Sequence, residues 1–389
     1  PAVAKTGDPT ADRTSWFSFT TVDSALVILP DTAKIHVTSY DQTWTYDGAT
    51  HTYTRYTVKR GSQTYEIADG TAPAEVTLST GDKVTVTAPA SITEAGTKTN
   101  TFTATLENSG NYAAGAIQKT TGTLTITQRA IEITAASASA YYTGDTLRRD
   151  SVYITSGTLA PTDTLLGATV SGWRVDAGST PNVPSAAVIC GKGTATPNLS
   201  GNYAITYVNG TLTVEKDTTT IRIASVGKTW PYDGQPHTNH EYTVQYGSTA
   251  VSADASGLVF ALPTGDSLTI VPAATATITN AGSVNNSYTF GIQHGSNYSS
   301  MVILTMGDLK VTPVALTIRA CDSTKVYDGQ WLTRDTFRIT SGALATTDKV
   351  GHAVFTGARL LAGDTANVLS GVTINRISDN ADVTSNYTL

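Results

Sequence analysis

In "GTLTIT" at residues 122–127, Leu124 and Ile126 fall on one face and Thr123, Thr125 and Thr127 on the other. A period of two is the signature of a strand with one buried side. The same alternation runs through "AIEIT" from Ala130, "GTLTVE" from Gly210, "GDLKVT" from Gly307 and "ALTIR" from Ala315. Aromatic turns such as Tyr46-Asp47-Gly48 and Tyr232-Asp233-Gly234 punctuate these runs, with Gly supplying the residue that tolerates positive φ. No segment of ten or more residues carries a helical period, and a short helix in each module, though compatible with the sequence, is not visible in it. The pattern predicts an all-β or mainly β chain.

The pattern itself repeats. "WTYDGATHT" at 44–52 returns as "WPYDGQPHT" at 230–238, offset by 186 residues at Trp, Tyr, Asp, Gly and His alike. "ITEAGT" at 92–97 returns as "ITNAGS" at 278–283, and "SGNY" at 109–112 as "GSNY" at 295–298. A second set is offset by 185: "YYTGDTLRRDSVYITSGTLAPTD" from Tyr141 matches "VYDGQWLTRDTFRITSGALATTD" from Val326, and "DAGSTPNV" at 176–183 matches "LAGDTANV" at 361–368. Two module types therefore alternate as A-B-A-B, each about 90 residues long. The expected segments are 32–127 (A), 128–216 (B), 217–312 (A) and 313–389 (B), with 1–31 the closing strands of a preceding B-type module or a donor segment. Each is expected to be a small β-sandwich or grasp-like sheet. The links at 127–130, 215–219 and 311–314 have no slack, so the array is expected to be elongated.

Composition agrees with several β-domains. The chain has 389 residues, of which 40% are hydrophobic and only 14% charged. The net charge of −6 and the lack of a basic run argue against nucleic acid as a partner. No run of about 18 apolar residues appears, so no membrane insertion by a helix is expected. Pro1 opens the chain with no signal peptide, and the natural N-terminus is expected upstream. Cys190 and Cys321 stand far apart, in neither a CxxC pair nor a His/Cys cluster.

"SGNYAITYVNGTLTVEK" at 200–216 and "KTWPYDGQPHT" at 228–238 resemble the closing and opening stretches of YDG/MBG-type β-repeats in large bacterial surface adhesins. The resemblance implies a secreted array of β-domains on a Gram-positive cell wall, spacing or presenting an adhesive part. The second module departs from the pattern with Tyr142-Thr143-Gly144, which weakens any chemical role for the Asp of the turn.

Candidate chemistry is sparse. "GKT" at 227–229 lacks the earlier Gly of a phosphate-binding loop, because position 222 is Arg, and it leads into a strand. His237 and His240 suggest a metal pair, but the first copy has His51 and Thr54. No metal site, no cofactor and no catalytic motif is expected. Trp44, Tyr46 and His51, with their copies Trp230, Tyr232 and His237, form the one aromatic cluster that recurs. It fits a plug at the end of a module or, alternatively, a contact for host glycan or mucin.

The two ends read as complementary. "SNYTL" at 385–389 stops where "GNYAITYVNGTLTVEK" continues, and "FSFTTVDSALVILPDT" at 17–32 aligns with "YAITYVNGTLTVEKDT" at 203–218. Either a longer array was cut in phase, or Phe17, Phe19, Leu26 and Ile28 belong to a donor strand that completes module four of an adjacent chain, which would build a filament. The function expected is that of a non-enzymatic stalk on a bacterial surface. A carbohydrate- or mucin-binding module is the alternative.

Overall fold

Strands make up 51% of the chain, and the described residues contain no α-helix. The computed structural model describes residues 4–5, 8–12, 24–299 and 302–389. The fold class is all-β. The helical turns among the described residues are 3-10 turns, one before each Asn-Tyr tyrosine: Ser109–Asn111, Ser200–Asn202, Gly295–Asn297 and Thr384–Asn386. The chain divides into two units, one of residues 1–133, 154–168 and 186–206, the other of 134–153, 169–185 and 207–389. The expected segment 128–216 thus contributes to both.

In the first unit, Ile35–Ser39 pairs antiparallel with Tyr56–Arg60 and parallel with Ile117–Thr120, and Gln63–Ile67 extends the sheet. A second sheet joins Glu75–Thr77, Lys83–Thr87 and Thr103–Leu106. Alternation sends Ile35, Val37, Val58, Val84 and Val86 into one core, closed by Tyr56, Phe102 and Tyr112. A third sheet holds Thr123–Thr127 between Gln42–Thr45, parallel, and Gly96–Thr99, antiparallel. Leu124 and Ile126 are buried there while Thr123 and Thr127 are exposed, as the alternation predicts.

The second unit repeats this pairing. Ile221–Ser225 lies between Tyr242–Tyr246, antiparallel, and Val302–Thr305, parallel. Asp308–Thr312 lies between Lys228–Pro231, parallel, and Gly282–Asn285, antiparallel. Gly210–Glu215 also sits this way, parallel to Ala138–Tyr141 and antiparallel to residues 178–182, with Leu212 and Val214 buried. Farther along, Asp348–Phe355 pairs with Leu369–Arg376, Thr317–Ala320 with Phe337–Ser341, and Val314–Ala315 with Tyr387–Thr388. Ile374, Leu316 and Val383 close a core there with Leu309 and Val311.

A side-chain clamp recurs four times. Asn100 Nδ2 donates to the carbonyls of Tyr40 and Tyr53, Asn182 to Ala136 and Arg149, Asn286 to Val226 and Asn239, and Asn367 to Cys321 and Arg334. Each amide ties together two loop carbonyls that strand pairing leaves unpaired. The first three Asn residues are fully buried, whereas Asn367 is only half-buried.

Candidate functional site

The Tyr-X-Gly turn is built from its own side chains. Asp47 Oδ1 accepts the backbone N–H of Ala49 at 2.9 Å, Asp233 that of Gln235 at 2.9 Å, and Asp328 that of Gln330 at 3.0 Å. In the second module Thr143 Oγ1 faces the N–H of Asp145 at 3.4 Å. Asp and Thr both bond the backbone two residues on, so Tyr-Thr-Gly keeps the turn that Tyr-Asp-Gly makes. The glycine adopts φ of +82° at Gly48, +83° at Gly144, +78° at Gly234 and +73° at Gly329.

The turn aims its tyrosine at an aspartate more than a hundred residues away. Tyr46 Oη donates to Asp163 Oδ2 at 3.1 Å, and Tyr203 Oη donates to the same oxygen at 2.7 Å. Tyr142 and Tyr298 meet Asp266 Oδ2 at 2.9 and 2.8 Å. Tyr232 and Tyr387 meet Asp348 Oδ2, both at 2.8 Å. The two rings of each pair stand edge to face, with centroids 5.4, 5.7 and 5.4 Å apart, the arrangement aromatic quadrupoles favour. All six tyrosines and all three aspartates are buried.

The chemistry of these clusters is that of a satisfied buried carboxylate. Burial, with the hydrogen bond to Asp163 adding to it, pushes the Tyr46 phenol up to about 12. Burial also pushes up Tyr203, Tyr298 and Tyr387, so the phenols stay neutral donors. Burial alone would raise the Asp266 carboxyl, but hydrogen bonds from His294, Tyr298 and Tyr142 outweigh it and hold the group below the ordinary carboxylate range.

A second contact accompanies each cluster. The backbone N–H of Ala95 donates to Asn202 Oδ1 at 2.7 Å, that of Ala177 to Asn297 at 2.9 Å, and that of Ala281 to Asn386 at 2.7 Å. The "Asn-Tyr" pair therefore works as one device, Asn accepting a backbone N–H and Tyr donating a hydrogen bond to the aspartate.

The sequence-predicted aromatic cluster separates into two parts. Tyr46 and Tyr232 are consumed by the buried clusters and present no face to a ligand. Trp44 stacks on His51 with centroids 4.8 Å apart, and Trp230 stacks on His237 at the same 4.8 Å. Each histidine Nε2 bonds the turn aspartate at 2.9 Å, His51 to Asp47 and His237 to Asp233. The backbone N–H of Ala49 first, and then His51, hold the Asp47 carboxyl below its usual range. Both indoles are half-buried. The histidine occupies an indole face, and the Trp–His–Asp set braces the turn.

The remaining candidates scatter. Phe17 and Phe19 lie outside the described residues. Leu26 and Ile28 belong to no strand or helix and have relative exposures of 102% and 97%. His240 is exposed, and no group of three or more His, Cys, Asp or Glu able to hold a metal ion occurs among the described residues. Lys228–Pro231 is a strand paired with Asp308–Thr312, so "GKT" opens no phosphate loop. Both cysteines are free, Cys190 buried with its thiol against the Ala195 carbonyl. No helix among the described residues is long and apolar enough to cross a membrane.

Asp163, Asp266 and Asp348 escaped the sequence reading, although Asp163 and Asp348 close the two copies of the longest matched stretch. No model of a known protein family matches the chain, and no curated protein sequence matches it.

Proposed function

We propose that this chain is a non-catalytic spacer from a bacterial surface protein, a stack of β-modules in A-B-A-B order that holds an adhesive part away from the cell. The observation that carries the reading is the threefold Tyr–Asp–Tyr cluster. The most conspicuous recurring motif is used up inside the protein, joining segments more than a hundred residues apart. Binding sites spend aromatic groups on exposed faces, whereas stacked repeats spend them between neighbours. Secretion and a Gram-positive surface location follow from the resemblance to adhesin repeats.

The test places the intact chain between a surface anchor and a small reporter domain on a bacterium, with a directly anchored reporter as control. Capture by receptor-coated beads is expected to rise with the chain in place, and the purified chain is expected to leave mucin and glycan surfaces bare. Unchanged capture, together with glycan binding lost on Trp44→Ala and Trp230→Ala, would replace the spacer with the carbohydrate-binding alternative.

A further inference from the structure

The three buried aspartates take their two tyrosines on Oδ2 and differ at the other oxygen. Asp163 Oδ1 accepts the hydroxyl of Thr162 at 2.8 Å, and Asp348 Oδ1 that of Thr347 at 3.0 Å. Gly265 precedes Asp266, so that hydroxyl is missing, and Asp266 Oδ1 bonds His294 Nδ1 at 2.8 Å instead. The other A-type module has the same substitution in neutral form. Gly81 precedes Asp82, whose Oδ1 accepts Asn108 Nδ2 at 2.8 Å. Asn108 and His294 each stand just before a 3-10 turn, and both adopt φ of +48°, a left-handed conformation that Asn and His enter more readily than most residues. In the B-type modules Leu199 and Val383 hold that place at negative φ.

The cluster at Asp266 is thus the one of the three whose aspartate bonds a group that changes charge near neutral pH. The His294 side chain is 55% exposed and exchanges protons with solvent, whereas that of Asp266 is 5% exposed. The imidazole faces the Asp266 carboxylate, and Asp176, whose Oδ1 accepts Asn297 Nδ2 at 2.8 Å, adds to the attraction. Glu215 and Lys216 line the same pocket, and the Tyr142 and Tyr298 phenols beside Asp266 stay neutral. The hydrogen bond to Asp266 holds His294 above its ordinary value of 6.5, with burial opposing it.

Protonated His294 gives Asp266 a charge-assisted bond, roughly twice as strong as a neutral one, and offsets a buried negative charge. The neutral ring keeps at most the weaker bond and leaves that charge to the phenols. A group whose folded pKa is raised contributes stability below its unfolded value, here 6.5, and loses it as pH climbs through the folded one. Asp266 itself is held low, so its own contribution is lost only in strong acid, outside this window.

We infer that His294 makes the Asp266 cluster a pH-responsive joint, clamped in mild acid and loosened above neutral pH, while the joints at Asp163 and Asp348 do not respond. The residues that meet there, Tyr142, Asp176, Asp266, His294 and Asn297, fall in one compact unit, so the response is a local opening of a chain that stays folded. The inference rests on the spacer reading for its use, a stalk whose give follows the acidity around it. The joint itself stands on the geometry of the cluster. A chain that fails to act as a spacer in the surface-capture test would leave the joint untouched, and a joint that ignores pH would leave the spacer standing.

The test is hydrogen exchange of the intact chain between about pH 5.5 and about pH 8.5, corrected for the intrinsic pH dependence of amide exchange. Each joint has its own reporter, the backbone N–H that the Asn of the Asn-Tyr pair accepts: Ala95, Ala177 and Ala281. Protection at Ala177 is expected to fall about threefold to fivefold across this range, and protection at Ala95 and Ala281 to stay within about twofold. The fall should follow the titration of the His294 imidazole observed by NMR. His294→Asn installs the neutral donor that Asn108 supplies to Asp82, and is expected to keep the joint closed and to flatten its pH dependence. Constant protection at Ala177, an equal fall at all three reporters, or a fall that persists in His294→Asn would overturn the proposal.

Discussion

Gly144 and Gly329 occupy the same turn in copies 185 residues apart, with φ of +83° and +73°. A methyl on Gly144 would fall 1.9 Å from the Thr264 carbonyl oxygen, and one on Gly329 would meet nothing within 4 Å. The tyrosines two residues earlier differ in the same way, Tyr142 being 4% exposed and Tyr327 64%. Local sequence therefore specifies the turn in both places, while only one of them is seated against a partner. The glycine serves two ends, positive φ and close approach, and the second is realised at Gly48, Gly144 and Gly234 alone.

The comparison breaks most sharply at the aspartates. Asp266→Ala leaves two buried phenols without their acceptor and should lower local stability by about 3 kcal/mol. Asp82→Ala, which strips the Tyr112 phenol and the Asn108 amide of their carboxylate acceptor, should cost about 1 kcal/mol. Hydrogen-exchange mass spectrometry of the intact chain reads both, because it reports opening segment by segment.

The glycines come next. Gly144→Ala combines left-handed strain with a backbone clash and should cost about 2–4 kcal/mol by the same measurement. Gly329→Ala carries the conformational strain alone, about 1 kcal/mol. Equal effects would mean that the close contact with Thr264 does nothing.

Alkali sharpens the contrast more gently. Burial raises the phenol of Tyr46 to about 12, above its ordinary value near 10 in the unfolded chain. A group whose folded pKa is raised contributes stability below the unfolded value and loses it as pH climbs through the folded one. Stability is therefore expected to hold up to about pH 10 and to fall between about pH 10 and 12. Tyrosinate absorbance should show a delayed fraction that ionises together with unfolding. Complete ionisation of a still-folded chain near pH 10 would contradict the buried clusters.

Much of the fold was legible because it is local. Alternation places Leu124 and Ile126 inward, and the offset of Trp44 and Trp230 shows the repeat in the sequence itself. The clusters were less legible, since Tyr46 and Asp163 are 117 residues apart and lie in different repeat types. A single sequence shows that Tyr46 and Tyr232 recur and does not show what they touch. Asn182 and Asn367 were likewise visible as matched letters, yet their clamp on two loop carbonyls is a property of the folded backbone. Trp44, Tyr46 and His51 read as one cluster in the sequence; in the structure Trp44 stacks on His51, which bonds Asp47 of the turn, while Tyr46 turns away to Asp163.

The central claim is that the tyrosine of the Tyr-X-Gly turn is a joining element. Its most direct measurement compares Tyr232→Phe with Tyr327→Phe in dilute intact chain, by hydrogen exchange around residues 340–350. Tyr232→Phe removes one buried hydrogen bond to Asp348 and should cost about 1 kcal/mol there, while Tyr327→Phe should change nothing beyond about 0.3 kcal/mol. Equal responses to the two substitutions, or no response to Tyr232→Phe, would contradict the account.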